Sequence, residues 1–383
     1  MLDYETLRLV WWGLIGLLLI GFAIADGMDM GVGTLLPFLG RTDHERRVII
    51  NTVAPHWDGN QVWLIAGAGC IFAAWPAVYA AAFSGFYFAM MAVLAALFLR
   101  PVGFDYRSKI DDTRWRGAWD WALFTGSAVP AFLFGVVFGN LLQGVPFHLN
   151  SFLKPHYDLG AFSALPALLN PFALLAGLIS VMMLTVHGAV WLQLRADKVV
   201  AERARGVVSW VAPLVTVLFG LAGLWVFYGI EGYRIVSQPA LDALPNPLAK
   251  EVVRAPGAWL DIYATMPLAM LAPIAGLAAP LLVWALSRLR RPGLAILPSA
   301  LTLTGIISTA GLSMFPFVMP SSSNPGSSLT IWDAASSALT LKVMLVALGI
   351  FLPLVLLYTT WCYFTMWRRV TVKEIEENTH QAY

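Results

Sequence analysis

Nine runs of this chain are each long and apolar enough to cross a lipid bilayer, and that decides what the chain can become. They fall at roughly 9–39, 51–74, 77–99, 121–144, 166–193, 207–230, 262–287, 293–318 and 339–367. A spanning helix needs about 20 mostly apolar residues. Inside the hydrocarbon every backbone N–H and C=O must be satisfied by the protein itself, so only helices or a closed barrel can span. Runs of this length predict an all-α, polytopic helical bundle. Residues 1–383 form a single transmembrane domain ending in a short tail at 368–383. Composition agrees, with 59% hydrophobic residues and 12% charged, where soluble domains run at about 45–50% and about 25%. A soluble enzyme, a nucleic-acid binder and a disordered chain are excluded. Cys70 and Cys362 lie in apolar runs, against a disulfide framework or a thiolate metal site. The start, MLDYETLR, has no signal-peptide pattern, and the first run is read as an uncleaved span.

Charge sets the expected orientation. With the N-terminus outside and the C-terminus cytoplasmic, 18 of the 24 Lys and Arg fall on the cytoplasmic side. Only Arg8, Lys154, Arg234, Lys250, Arg254 and Lys342 lie outside. A competing eight-span layout leaves 26–76 outside, separates Arg41, Arg46 and Arg47 from the other cytoplasmic arginines, and weakens the bias to 16 against 8.

Ionisable residues at membrane depth are costly and are functional candidates by default. Span two is the richest, reading NTVAPHWDGNQVWLIAGAG from Asn51 to Gly69. On a helix running from Asn51, Asp58 is seven residues on, about 10 Å into the membrane. Gln61 is at i+3 from Asp58 on the same face, and His56 and Asn60 form an i,i+4 pair. Asp58 is either a proton acceptor and donor, or a carboxyl bonded to Gln61 and backbone that locks packing. Asp26 and Asp29 share one face of the first span within the Gly-rich IADGMDMGVG, and are expected to bond to backbone freed by a bend. Trp57 and Trp63 read as packing or as the wall of a narrow apolar passage. His56 and His187 could in principle pair across a haem, but no second pair exists, so interhelical hydrogen bonding is favoured for His187. The loop after span three carries Asp105 and Lys109, an i,i+4 pair if helical, on the near side of span two. Asp333 is expected to cap the last span. No metal site is expected.

Taken in order, several segments resemble subunit II of the bacterial cytochrome bd-type ubiquinol oxidases. They are DGMDMGVG (26–33), APHWDGNQVWL (54–64), FAAWPAVYAAAFSGFY (72–87), FLRPVGFDYRSK (98–109), FGNLLQGVPF (138–147), NPF (170–172), FPFVMPSS (315–322), LTIWDAASS (329–337) and the tail NTHQAY. The resemblance covers nearly the whole chain; loops 148–165 and 235–256 carry no matching motif. It implies a terminal respiratory oxidase of the bacterial inner membrane, which oxidises ubiquinol and reduces dioxygen to water. That complex takes its protons from the cytoplasm and builds a proton motive force without pumping. It implies two haem b and one haem d in subunit I, the heterodimer partner, and no haem in this chain. Small single-span accessory subunits and membrane lipids are further partners, and a quinone held by subunit II is expected to be structural. Carried over by residue, Asp58, Asp105 and Lys109 match the family's proton path, and Trp63 matches the mouth of its oxygen route. The rival from another class is a proton-coupled secondary transporter, which would show inverted repeats and paired broken helices.

Overall fold

The computed structural model describes residues 3–158 and 166–377. The tail motif at 378–383 and residues 159–165 lie outside the described residues. The helices run in order as α1 (Tyr4–Leu39), α2 (Asp43–Asn51), α3 (Trp57–Ala74), α4 (Pro76–Gly85), α5 (Tyr87–Tyr106) and α6 (Thr113–Gln143). There follow α7 (Pro171–Arg195), α8 (Lys198–Gly229), α9 (Leu271–Arg288), α10 (Pro292–Met314), α11 (Ala338–Thr365) and α12 (Val372–Glu377). Among the described residues, eight helices are long and apolar enough to cross a membrane. The short helices α3 and α4 pass the same test together, but are bent by 118° where they meet. That is the one such bent pair among the described residues, so the paired broken helices of a transporter do not appear.

Two expected spans are redrawn. The second does not start at Asn51. The chain turns over 52–56 and re-enters as α3 at Trp57, because Pro55 supplies no N–H and disfavours helix at the residue before it. The third starts ten residues later than the apolar run suggested. Pro76 forces Trp75 out of helical geometry, at φ −132° and ψ 67°. The apolar residues 76–85 therefore form α4, turned away from α3, and α5 alone is the candidate for the third span.

The helix ends sort into two layers. At one end α1 finishes, α2 lies across it, α5 ends and α6 begins. Here Arg107 bonds Asp120 at 2.6 Å and Asp43 at 2.9 Å. Arg46 reaches the same Asp120 at 2.7 Å, and Arg116 the same Asp43 at 2.9 Å. These pairs put Arg46 beside Arg107, two residues that the eight-span layout held on opposite sides. Thr42 and Glu45 start α2 with reciprocal capping bonds, and Arg203 on α8 grips Glu45 at 2.6 and 3.1 Å. The segment after α11 is tied here too, Val370 N–H donating to the Arg195 carbonyl at 2.7 Å.

The opposite end carries three two-stranded hairpins. They are β1 (Phe147–Leu149) with β2 (Pro155–Tyr157), β3 (Glu231–Ser237) with β4 (Glu251–Pro256), and β5 (Phe317–Met319) with β6 (Leu329–Thr330). The start of α1 lies at this end, the Tyr4 hydroxyl donating to the Ser336 carbonyl at 2.7 Å. Asp333 does not cap α11. Ser337 does, while Asp333 pairs with buried Lys250 at 2.9 Å.

The Gly-rich stretch of α1 brings two backbones into contact. A Cβ on Gly31 would fall inside the van der Waals shell of the Leu184 carbonyl oxygen and lie 2.9 Å from the Gly188 nitrogen. Small residues allow such approach between membrane helices. It holds α1 against α7 and fixes where the two aspartates of α1 point.

Candidate functional site

Asp26 and Asp29 project from α1 into a buried polar cluster assembled from four helices. Arg100 on α5 donates from both terminal nitrogens to Asp26, at 2.9 and 2.7 Å. Asn60 on α3 donates to Asp29 at 2.8 Å. Its amide nitrogen also lies 3.3 Å from His56 Nδ1, which realises the i,i+4 pair. Tyr363 on α11 donates its hydroxyl to the Asn60 carbonyl oxygen at 3.0 Å. The expectation that the two aspartates bond to freed backbone is corrected: their partners are side chains on other helices. Arg100, counted among the cytoplasmic loop cations, is buried within α5. Its remote partner and the role of Tyr363 gave no local signal in the sequence.

One guanidinium serves two carboxyls unequally. Asp26 holds the bidentate bond, the strongest geometry such a pair offers. Asp29 lies 3.8 Å from Arg100, and its Oδ1 has no hydrogen-bond partner, nor does His56 Nε2. An aromatic wall closes the side towards the basic end. The His56 ring is 4.7 Å from that of Tyr363 and 5.8 Å from that of Trp191.

The expected proton-path residues stand apart from this cluster. Asp58 sits in the first turn of α3 and is exposed within this chain. No bond joins it to Gln61, whose buried amide nitrogen has no acceptor. Beside Asp58, a Cβ on Gly59 would stand 3.7 Å from the Tyr358 ring of α11. Tyr358 lies seven residues before the end of α11, about 10 Å of helix rise. Asp58 thus lies where the chain re-enters as α3 rather than on a helix running from Asn51. Asp105 and Lys109 are also exposed. α5 ends at Tyr106, so they form no helical i,i+4 pair. The Trp57 and Phe104 rings, 5.6 Å apart, bring 57–58 alongside 104–105.

Trp63 is buried against α1, where a Cβ on Gly21 would lie 2.6 Å from its ring. Its indole N–H has no acceptor. His187 engages both ring nitrogens, with Ser299 Oγ at 2.8 Å and the Ile24 carbonyl at 3.0 Å. That is the interhelical role. Among the described residues no group of three or more His, Cys, Asp or Glu could hold a metal ion.

The last apolar helix is the least buried. On α11, 6% of the most apolar window is buried, against 22% or more for each other apolar span. Leu357, Trp361 and Phe364 project from it uncovered, and Tyr358 on the same helix lies beside Gly59, next to Asp58 on α3.

Comparison with known proteins bears on this arrangement. The profile described as cytochrome bd terminal oxidase subunit II matches residues 7–366. The cytochrome bd-I ubiquinol oxidase subunit 2 of Escherichia coli K12 is 55% identical over 383 residues, all of both chains. A probable cytochrome oxidase subunit 2 of Haemophilus influenzae is 52% identical over the full length of both. The cytochrome bd ubiquinol oxidase subunit 2 of Bacillus subtilis is 32% identical over 96% of this chain and 98% of that one. The solved bd oxidase of Geobacillus thermodenitrificans has a chain that superposes with a TM-score of 0.63 at 16% identity, over 94% of this chain and 98% of that chain. It shares the fold.

Proposed function

The chain belongs to the cytochrome bd terminal oxidase subunit II family, and from that premise we propose how its residues serve the oxidase. It is a multi-pass protein of the bacterial inner membrane and a subunit of a cytochrome bd ubiquinol oxidase, an oxidoreductase complex. The transporter reading has no support among these relatives and is set aside.

In the proposed complex a partner subunit I carries the two haem b and the haem d. There ubiquinol is oxidised and dioxygen reduced to water. This chain carries no haem; it completes the complex and gives protons and dioxygen access to the partner's haems. Any quinone it holds is structural. The basic end faces the cytoplasm, which puts the N-terminus outside. Protons enter at Lys109 and Asp105 and pass to Asp58, and Trp63 walls the oxygen route.

The observation that carries this reading is Asp58. It is exposed on this chain alone, level with Tyr358 of the least buried span. A carboxylate facing lipid at that depth is penalised by about 2.5–3.5 kcal/mol or more. Covered by a partner helix it becomes a buried, titratable group on the shared face. The α3–α5–α11 face is therefore the surface on which subunit I docks. Arg100 and Asp26 neutralise each other behind it and keep that scaffold rigid.

Two measurements test the assignment. The chain expressed alone should show no haem absorption, while the complex with its partner does. A cysteine replacing His44, at the basic end, should react with an impermeant thiol reagent only from the cytoplasmic side. Haem on the isolated chain, or labelling from outside, would overturn it.

A further inference from the structure

The turn between α9 and α10 holds an arginine where the backbone favours glycine. At the end of α9 the Leu289 N–H donates to the Ala285 carbonyl and the Arg291 N–H to the Leu286 carbonyl, both at 3.0 Å. The second bond reaches back five residues, the closure of a Schellman end. It requires the residue before it to be left-handed, and Arg290 has φ +59°. A residue with a Cβ is strained there and glycine is not. The chain keeps a cation at the expense of backbone comfort.

The surroundings concentrate positive charge. Arg288, Arg290 and Arg291 are all exposed within four residues. Arg205 on α8 joins them, its Nε donating to the Ser287 carbonyl at 3.0 Å. Among the described residues the one carboxylate in ion-pair reach of these four guanidiniums is Glu202, bonded to Arg205 and 3.6 Å from Arg290. Arg288 and Arg291 have no ion-pair partner among the described residues. The Arg288 guanidinium lies 4.5 Å over the Trp284 ring, a pairing suited to the headgroup layer. Exposed Leu289, Leu294 and Leu297 flank the turn. α9 packs on α8 and α10 and has no substantial contact with α3, α5 or α11. This side is therefore remote from the face assigned to subunit I.

We propose that the α9–α10 turn binds the phosphate headgroup of an anionic phospholipid, whose acyl chains lie along the exposed leucines of α9 and α10. Arginine forks match phosphate oxygens in pairs. Basic sites between membrane helices at the cytoplasmic surface attract anionic headgroups. The strain at Arg290 then has a purpose: it aims a third guanidinium at a ligand that a glycine turn could not hold.

The test uses the purified oxidase complex in nanodiscs of phosphatidylcholine alone or mixed with phosphatidylglycerol. The wild-type unfolding temperature should rise by a few degrees on adding phosphatidylglycerol, and the triple variant Arg288→Gln, Arg290→Gln, Arg291→Gln should lose that rise. Arg290→Gly separates binding from folding. Relieved of backbone strain, it should unfold at a higher temperature than wild type in phosphatidylcholine, yet gain less from phosphatidylglycerol. If the triple variant fails to assemble, the glycine variant decides alone. An undiminished gain in either variant overturns the proposal. So does a gain reproduced by inorganic phosphate in phosphatidylcholine discs, which would mark a free-anion site.

Discussion

Arg100 presents its two terminal nitrogens to the two carboxylate oxygens of Asp26, at 2.9 and 2.7 Å, and both side chains are buried. Removing one partner of such a pair leaves a buried charge unmatched and costs about 3–5 kcal/mol. Arg100→Leu or Asp26→Leu alone should sharply lower the unfolding temperature or the yield of the complex. Replacing both with apolar residues should be clearly milder than the two losses added. A thermal-unfolding double-mutant cycle measures this; simple additivity would mean that the pair is not a unit.

Gly31 tests the helix contact. Its missing Cβ is what lets α1 meet the Leu184–Gly188 backbone. Gly31→Ala should destabilise the fold by roughly 1–3 kcal/mol or more, as overpacking does. Gly13→Ala on the same helix, with nothing within 4 Å of the added carbon, should be neutral. Equal unfolding temperatures for the two variants would refute the close approach.

Glu45 predicts an acid limb. The Arg203 guanidinium bonded to it, helped by the backbone N–H groups of Arg41 and Thr42, holds its carboxyl below the usual 4.5, against a smaller opposing effect of burial. A carboxyl lowered in the folded state stabilises fully above its unfolded value, and that contribution fades as pH falls through the folded value. Wild type should therefore lead Glu45→Gln in unfolding temperature at neutral pH, and the gap should close below about pH 4.5. A gap that stays constant into acid would show that the ion pair contributes nothing.

Trp63 distinguishes a packing residue from a passage wall. Trp63→Ala opens space against Gly21 and should cost about 3–5 kcal/mol, as large-to-small core changes do. Trp63→Phe keeps most of the volume and should be tolerated. If the ring walls an oxygen route, the phenylalanine variant changes the KM for dioxygen while kcat at saturating dioxygen stays near wild type. Unchanged values of both would leave Trp63 as core alone.

Much of this architecture was legible because apolar runs and scattered basic residues report directly on membrane crossing. Arg46 and Arg107, which charge counting grouped on one side, share Asp120. The misreadings have local physical causes. Pro55 and Pro76 break apolar runs that hydropathy treats as continuous. Arg100 closes an apolar run and so reads as a loop cation, because its partner is 74 residues away. Asp333 looks like a helix cap by position, but long-range pairing with Lys250 claims it. The His56–Asn60 pair was visible, since i,i+4 spacing is local. Tyr363, the contribution of α11 to the cluster, was not, because an aromatic in a Trp- and Tyr-rich span carries no mark of its hydroxyl's partner.

The proposed transfer of protons by Asp58 across the shared face to the partner's haem site is tested most directly by Asp58→Asn in the assembled oxidase. The amide keeps the shape and loses the titratable group. Quinol-driven dioxygen consumption should fall about tenfold or more, with the haem spectrum and subunit stoichiometry unchanged, and Asp58→Glu should recover part of it. Wild-type turnover in the asparagine variant, or loss of haem together with turnover, would contradict the proposed relay.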